Sequence, residues 1–363
     1  MPGIVTHSRV LKEVISSLSK REKKSYLHRS VEALFHTPEN FTAGLFGTLG
    51  PNIFDFMLKR GEVGIENNDI SFFLHDGGFQ KLLHAMITKV VTYPDKNTEW
   101  AAVQRAYLYG FISHIITDAV FHPYIFYYSG FPNGNTKKEI NYYREQNLLF
   151  EYNIDNFLQY HDERSKEFPF RLDEMLPVRK QHHITLMDKS VKEFILDSLE
   201  KAYPEIYRSI LLFKSRKPSS DTVLPISHLD LLPYYISLAY RLKRSNNLRL
   251  ADFFRYIRKN TILFSDLIIR YPMNKRFNKN ILNLHRERWE HPAGKIGLHY
   301  ESVPGLLVAS CEKTIESWEK IESTLYTGEK PDLNEYLCIN AFTGDAKLGY
   351  KDLKIKHPIR LSS

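Results

Sequence analysis

Residues 107–129 read YLYGFISHIITDAVFHPYIFYYS, an apolar run interrupted only by His114, Asp118 and His122 at four-residue steps. On a helix each such step turns about 40°, so the three side chains fall within about 80° of one face. Imidazole and carboxylate among Phe, Ile and Tyr are unfavourable unless paired, hydrogen-bonded or bound to a cation. A hydrogen-bonded His114–Asp118 pair is the plain reading, and three ligand types on one stripe make metal binding the sharper one. The run has the length of a bilayer span, but three ionisable groups and Pro123 argue for the core helix of a helical bundle instead.

Outward from this segment the same periodicity recurs. SRVLKEVISSLSKREKKSYLHRSVEALFH, FQKLLHAMITKVVTYP and EQNLLFEYNIDNFLQYH all repeat apolar residues at three- and four-residue spacings. Breakers at Gly47–Pro51, Asp76–Gly78 and Gly130–Gly134 separate them. Few runs alternate as strands do. The expected fold is therefore all-α: one multi-helix domain over residues 1–326, with a core of 1–156 plus about 275–326. Residues of about 160–275 read as a helical insertion within it. Residues 327–363 have weak periodicity and form a C-terminal extension expected to wrap the surface or fray.

A 363-residue chain with 43% apolar content buries an ample core, which excludes a disordered chain. The net charge of +8 favours phosphate-bearing partners, such as phospholipid headgroups or nucleic acid. The densest basic run, Lys20, Arg21, Lys23 and Lys24, includes Glu22 and reads as a solvated helix face. Cys311 and Cys338 are too few for a thiolate zinc site or a disulfide framework, so a metal here is held by nitrogen and oxygen. The start MPGIVTHSRV has no charged stretch leading into an apolar one, which makes cytoplasmic residence the expectation.

Beyond the central segment, His7 in IVTHSRV, Asn52 and Asp55 in GPNIFDF, His75 in FFLHDGGF and Glu151 in FEYNID have the chemistry to complete a multi-metal site. Taken together with AYLYGFISHIITDAVFHPYI, they resemble the zinc-dependent phospholipase C family, whose all-helical fold is shared with zinc-dependent single-strand nucleases. The resemblance runs through residues 1–156, with an echo in RERWEHPAGKIGLHYESVPGLLVAS. It implies that His75, His114 and Asp118 hold one metal, His7 and Asp118 a second, and His122 and Glu151 a third. Asp118 bridges the first two, as a carboxylate with two oxygens can.

Two positions depart from the family pattern. Asn52 stands where a carboxylate is usual after Gly-Pro, with Asp55 three residues on as its candidate substitute. Asn147 stands where the family has a histidine ligand four residues before Glu151. The resemblance implies two or three zinc ions, although a nitrogen and oxygen ligand set also admits manganese or iron. It further implies attack by metal-bound hydroxide on a phosphodiester, oriented by Asp55 or Asn52, with only Asp55 able to act as a base. The substrate would be a phospholipid or small phosphodiester, with peripheral membrane contact and no transmembrane segment. The alternatives are a single-strand nuclease-like hydrolase and a degenerate, non-catalytic scaffold. His84, His182, His183, His285, His291 and His299 read as surface or packing residues.

Overall fold

The computed structural model describes residues 3–20, 26–57, 69–131, 136–181, 184–211, 227–244, 278–294, 297–327 and 338–359. Outside them lie Arg21, Lys23 and Lys24 of the basic run, His182 and His183, most of the Gly130–Gly134 breaker, and residues 245–275 of the expected insertion.

Helix follows helix along the chain: α1 (Ile4–Lys20), α2 (Tyr26–Leu34), α3 (Pro38–Gly47), α4 (Ile70–Phe73), α5 (Phe79–Val91), α6 (Glu99–Ser129) and α7 (Lys137–Tyr160). After these come α8 (Lys189–Ala202), α9 (Pro204–Ile210), α10 (Leu232–Arg244) and α11 (Val303–Thr327). The described strands are β1 (Val178–Gln181) and β2 (Ile184–Met187), an antiparallel pair in which Val178 faces Met187. Among the described residues the architecture is thus all-α with one antiparallel strand pair, in a region where the sequence had pointed only to helices.

The quoted segment is the axis of the molecule. Thr98 caps α6 by accepting from the Ala101 amide, and Glu99 lies in the first turn, where a carboxylate meets the positive end of the helix dipole. Apolar residues cover all sides of this helix, which accordingly sits at the centre of the bundle with α1, α3, α5, α7, α8 and α11 around it. Close approach to α3 depends on small residues: a Cβ on Gly110 would come within 1.9 Å of the Gly44 carbonyl oxygen. That contact delivers the end of α3, Thr48 and Gly50, to the middle of α6.

One hydrophobic core runs from Leu11 through Phe46 and Ile115 to Phe194, Ile206, Ile236 and Trp318. Residues 160–244 contribute to it where they are described. The described part of the C-terminal extension, Cys338–Ile359, lies largely at the surface and is anchored by a few buried residues. The His357 and Ile359 amides donate to the Tyr127 and Tyr128 carbonyls at 2.6 and 2.7 Å, and Phe342 and Leu353 are buried against Phe126 and Phe131. Backbone hydrogen bonds and a few aromatic side chains hold this segment, and neither leaves a periodic signature. No described helix is long and apolar enough to cross a membrane.

Candidate metal centre

Asp118 is fully buried at the middle of α6, and four imidazoles close on it from three parts of the chain. His75 Nε2 and His114 Nε2 each stand 3.0 Å from Asp118 Oδ2. On the other oxygen, Oδ1, His7 Nε2 stands at 3.2 Å and His122 Nε2 at 3.9 Å. Each carboxylate oxygen therefore has its own set of nitrogens. His7, His114 and Asp118 present ligand atoms that all lie within 4.8 Å of one another.

The local sequence explains how each imidazole arrives. His114 and His122 flank Asp118 one turn away on either side along α6. His75 follows α4 at a break in the helical path, where Gly77 adopts φ +97° and α5 starts in a new direction. His7 comes with α1, whose first turn is capped from another helix: Asp155 of α7 accepts from the Val5 and Thr6 amides at 3.2 and 2.9 Å. The His7 ring then stacks on His114, with centroids 4.1 Å apart.

Outward-facing ring nitrogens fix the orientation of the inner ones. His114 Nδ1–H donates to the Thr48 carbonyl at 2.8 Å, His75 Nδ1–H to Ser71 at 2.6 Å, and His122 Nδ1–H to Ala341 at 2.5 Å. With Nδ1 protonated in the neutral ring, Nε2 carries a lone pair. Three lone pairs thus point at a buried anion, and two of them face each other, since His75 Nε2 and His114 Nε2 are 3.1 Å apart. Neither Asp118 oxygen receives a hydrogen bond of acceptable geometry, nor does His7 or His122 make one through Nε2. Such an arrangement repels itself unless a metal cation lies between the groups or a ring takes up a proton.

The spacing fits one. Ligand atoms about 2.0–2.1 Å from a tetrahedral zinc lie about 3.3 Å from one another, close to the 3.0, 3.0 and 3.1 Å separating Asp118 Oδ2, His75 Nε2 and His114 Nε2. Backbone carbonyls on the far nitrogens are the usual outer partners of metal-binding imidazoles.

Electrostatics agree with ligand-ready protonation at His7, His122 and Asp118. Burial, reinforced by His114, lowers the His7 pKa from 6.5 to about 4, and burial holds His122 well below its ordinary value. Burial pushes Asp118 the other way, but the surrounding imidazoles outweigh it and keep the carboxyl well below the usual range. Burial raises Glu151 from 4.5 to about 7, with the negative charges of Asp118 and Asp155 adding to the rise.

The His7 shift carries a pH prediction for the metal-free chain. Its folded value lies below its unfolded one, so the stability associated with neutral His7 is complete above pH 6.5 and is lost as pH falls towards 4. The loss amounts to about 3 kcal/mol. Denaturant titrations in EDTA across this range check it: a His7→Leu variant has a shallower acid dependence than the wild type, and parallel curves would contradict the assignment.

Other expected site residues take different places. Asn52 and Asp55 lie in the turn Gly50–Phe56 and meet Ser71, whose hydroxyl is 3.5 Å from Asn52 Oδ1 and 3.1 Å from Asp55 Oδ2. Because the Ser71 carbonyl receives His75, they support the centre through that residue. Asn147, with its amide nitrogen directed outward, donates at 2.6 Å to both the Gly130 carbonyl and Ser129 Oγ, and so braces the end of α6. Glu151 is buried one turn along α7 from Asn147, outside the His7, His114 and Asp118 group. His291 accepts from the Ala293 amide and donates to the Thr343 carbonyl, a packing role.

Three contributors had no usable signal in the sequence: the Thr48, Ser71 and Ala341 carbonyls, each supplied by a backbone that any residue carries. Comparison with protein-family models, with curated proteins and with solved structures finds no match to this chain.

Proposed function

We propose that the buried cluster holds zinc and that the chain is a metal-dependent phosphoric diester hydrolase of the zinc-dependent phospholipase C type. The carrying observation is Asp118, whose two oxygens face different sets of imidazole nitrogens, the disposition of a carboxylate that bridges two cations. His75 and His114 serve one side and His7 the other, with His122 and Glu151 as the further ligands of the set. Zinc supplies a water of lowered pKa and positive charge for the phosphoryl oxygens. Asp118 would be the residue shared between the cations, and the three carbonyl-anchored imidazoles keep their Nε2 atoms turned inward. Asp55 acts through Ser71 on the orientation of His75.

Activity on bis(4-nitrophenyl) phosphate, phosphatidylcholine vesicles and single-stranded DNA tests the reading, since it separates small diesters, phospholipids and nucleic acid. The account expects diester hydrolysis that EDTA abolishes and zinc restores. Asp55→Asn, which keeps an acceptor for Ser71, is expected to retain most of that activity, whereas a general base at this position would lose roughly 100-fold or more. One observation favours the scaffold alternative: His7, His75, His114, Asp118 and His122 are all at most 2% exposed. That alternative predicts tightly held metal with no turnover on any of the three substrates.

A further inference from the structure

The segment Cys338–Ile359 meets the centre at Ala341. Its carbonyl accepts from His122 Nδ1–H at 2.5 Å, and its amide donates to the His75 carbonyl at 3.1 Å. Phe342 lies against both imidazoles, with ring centroids 5.7 Å from His75 and 5.4 Å from His122. Two devices hold the segment there. Asp76, next to His75, accepts from the Asn340 amide group and the Tyr350 backbone amide, both at 2.8 Å. Gly344, at φ +65°, packs where a Cβ would come within 2.5 Å of the Ala119 carbonyl oxygen. That carbonyl is the one left without an α-helical donor by Pro123, four residues on, which has no N–H.

We infer that this C-terminal segment is a working wall of the metal centre, in which Ala341 is a positioning residue: its carbonyl fixes His122 as the Nδ1–H tautomer and turns the Nε2 lone pair onto Asp118. The inference rests on reading the cluster as a metal site. In this arrangement Ala341 does for His122 what Thr48 does for His114 and Ser71 for His75. The difference lies in origin: Thr48 and Ser71 precede α6, whereas Ala341 comes from more than two hundred residues after it. The centre therefore closes only when the far end of the chain has docked, and metal binding and docking of the segment favour each other.

Gly344→Val in the full-length chain tests this, because a branched side chain suits neither the positive φ nor the space beside Ala119. Nitrogen-15 spectra of the imidazole rings distinguish the two neutral tautomers, and zinc titration reads affinity. The variant is expected to lose the fixed Nδ1–H tautomer at His122 while His114 keeps it, and to bind zinc roughly 10- to 100-fold more weakly. Should Gly344→Val fail to fold, Phe342→Ala, which removes the ring against both imidazoles, must produce the same pair of changes. An unchanged His122 tautomer together with wild-type zinc affinity would overturn the inference. The spectra are also recorded without metal: a His122 tautomer that responds in a chain unable to bind zinc would sink the functional reading and leave the positioning role standing.

Discussion

Asp118→Asn is expected to abolish zinc-dependent hydrolysis and, in EDTA, to make the protein more stable than the wild type. Both effects come from one geometry. With zinc, the carboxylate is the group shared between the two sides of the centre, and an amide offers a single, uncharged oxygen. Loss of the metal removes several kcal/mol of transition-state stabilisation, so activity falls roughly 1000-fold, equivalent to about 4 kcal/mol. Without zinc, the wild type keeps a buried anion among nitrogen lone pairs, whereas the asparagine NH2 can donate to them. Removing that conflict is expected to add about 1–3 kcal/mol. Urea titrations with EDTA and with zinc read both signs: a variant less stable than the wild type in EDTA would mean that protonated imidazoles already balance Asp118.

Gly50→Ala is the second large effect. Gly50 adopts φ +52°, and a Cβ there would lie 2.2 Å from His114 Cδ2, so either the turn or the imidazole must move. The left-handed conformation alone costs about 1–2 kcal/mol for alanine. Displacement of His114 is expected to weaken zinc binding by a further factor of roughly 10–100. Gly77→Ala separates the two causes. Gly77 adopts φ +97° with nothing within 4 Å of its added Cβ, so its alanine variant should lose stability but keep zinc affinity. Equal loss of affinity in both variants would point to backbone strain and away from contact with His114.

The central helix was legible because its signal is physical and local: an apolar run long enough to be buried all round, with three candidate ligands at one-turn spacing. His7 and His75 were legible only through the resemblance, since nothing near them in the sequence says that they face Asp118. His7 reaches the centre because Asp155, 148 positions away, caps its helix, and a capping bond of that range has no sequence pattern. Asn147 also closes the turn at Ser129 and Gly130 through its amide, a role that no sequence pattern announces. Asn52 and Asp55 were expected beside the metal, and both meet the hydroxyl of Ser71, whose carbonyl receives His75. The C-terminal segment was the least legible part, because it contributes a carbonyl, an amide and one aromatic ring, none with a recurring spacing.

Metal content tests the central claim most directly. Untagged wild-type protein, purified without chelator and analysed by inductively coupled plasma mass spectrometry, is expected to carry about two zinc ions per chain, one for each oxygen of Asp118. The Asp118→Asn variant prepared in parallel is expected to carry almost none. A wild-type chain that is metal-free and takes up no zinc, manganese or iron on titration would contradict the account, leaving the imidazole cluster a packing feature of the α6 core.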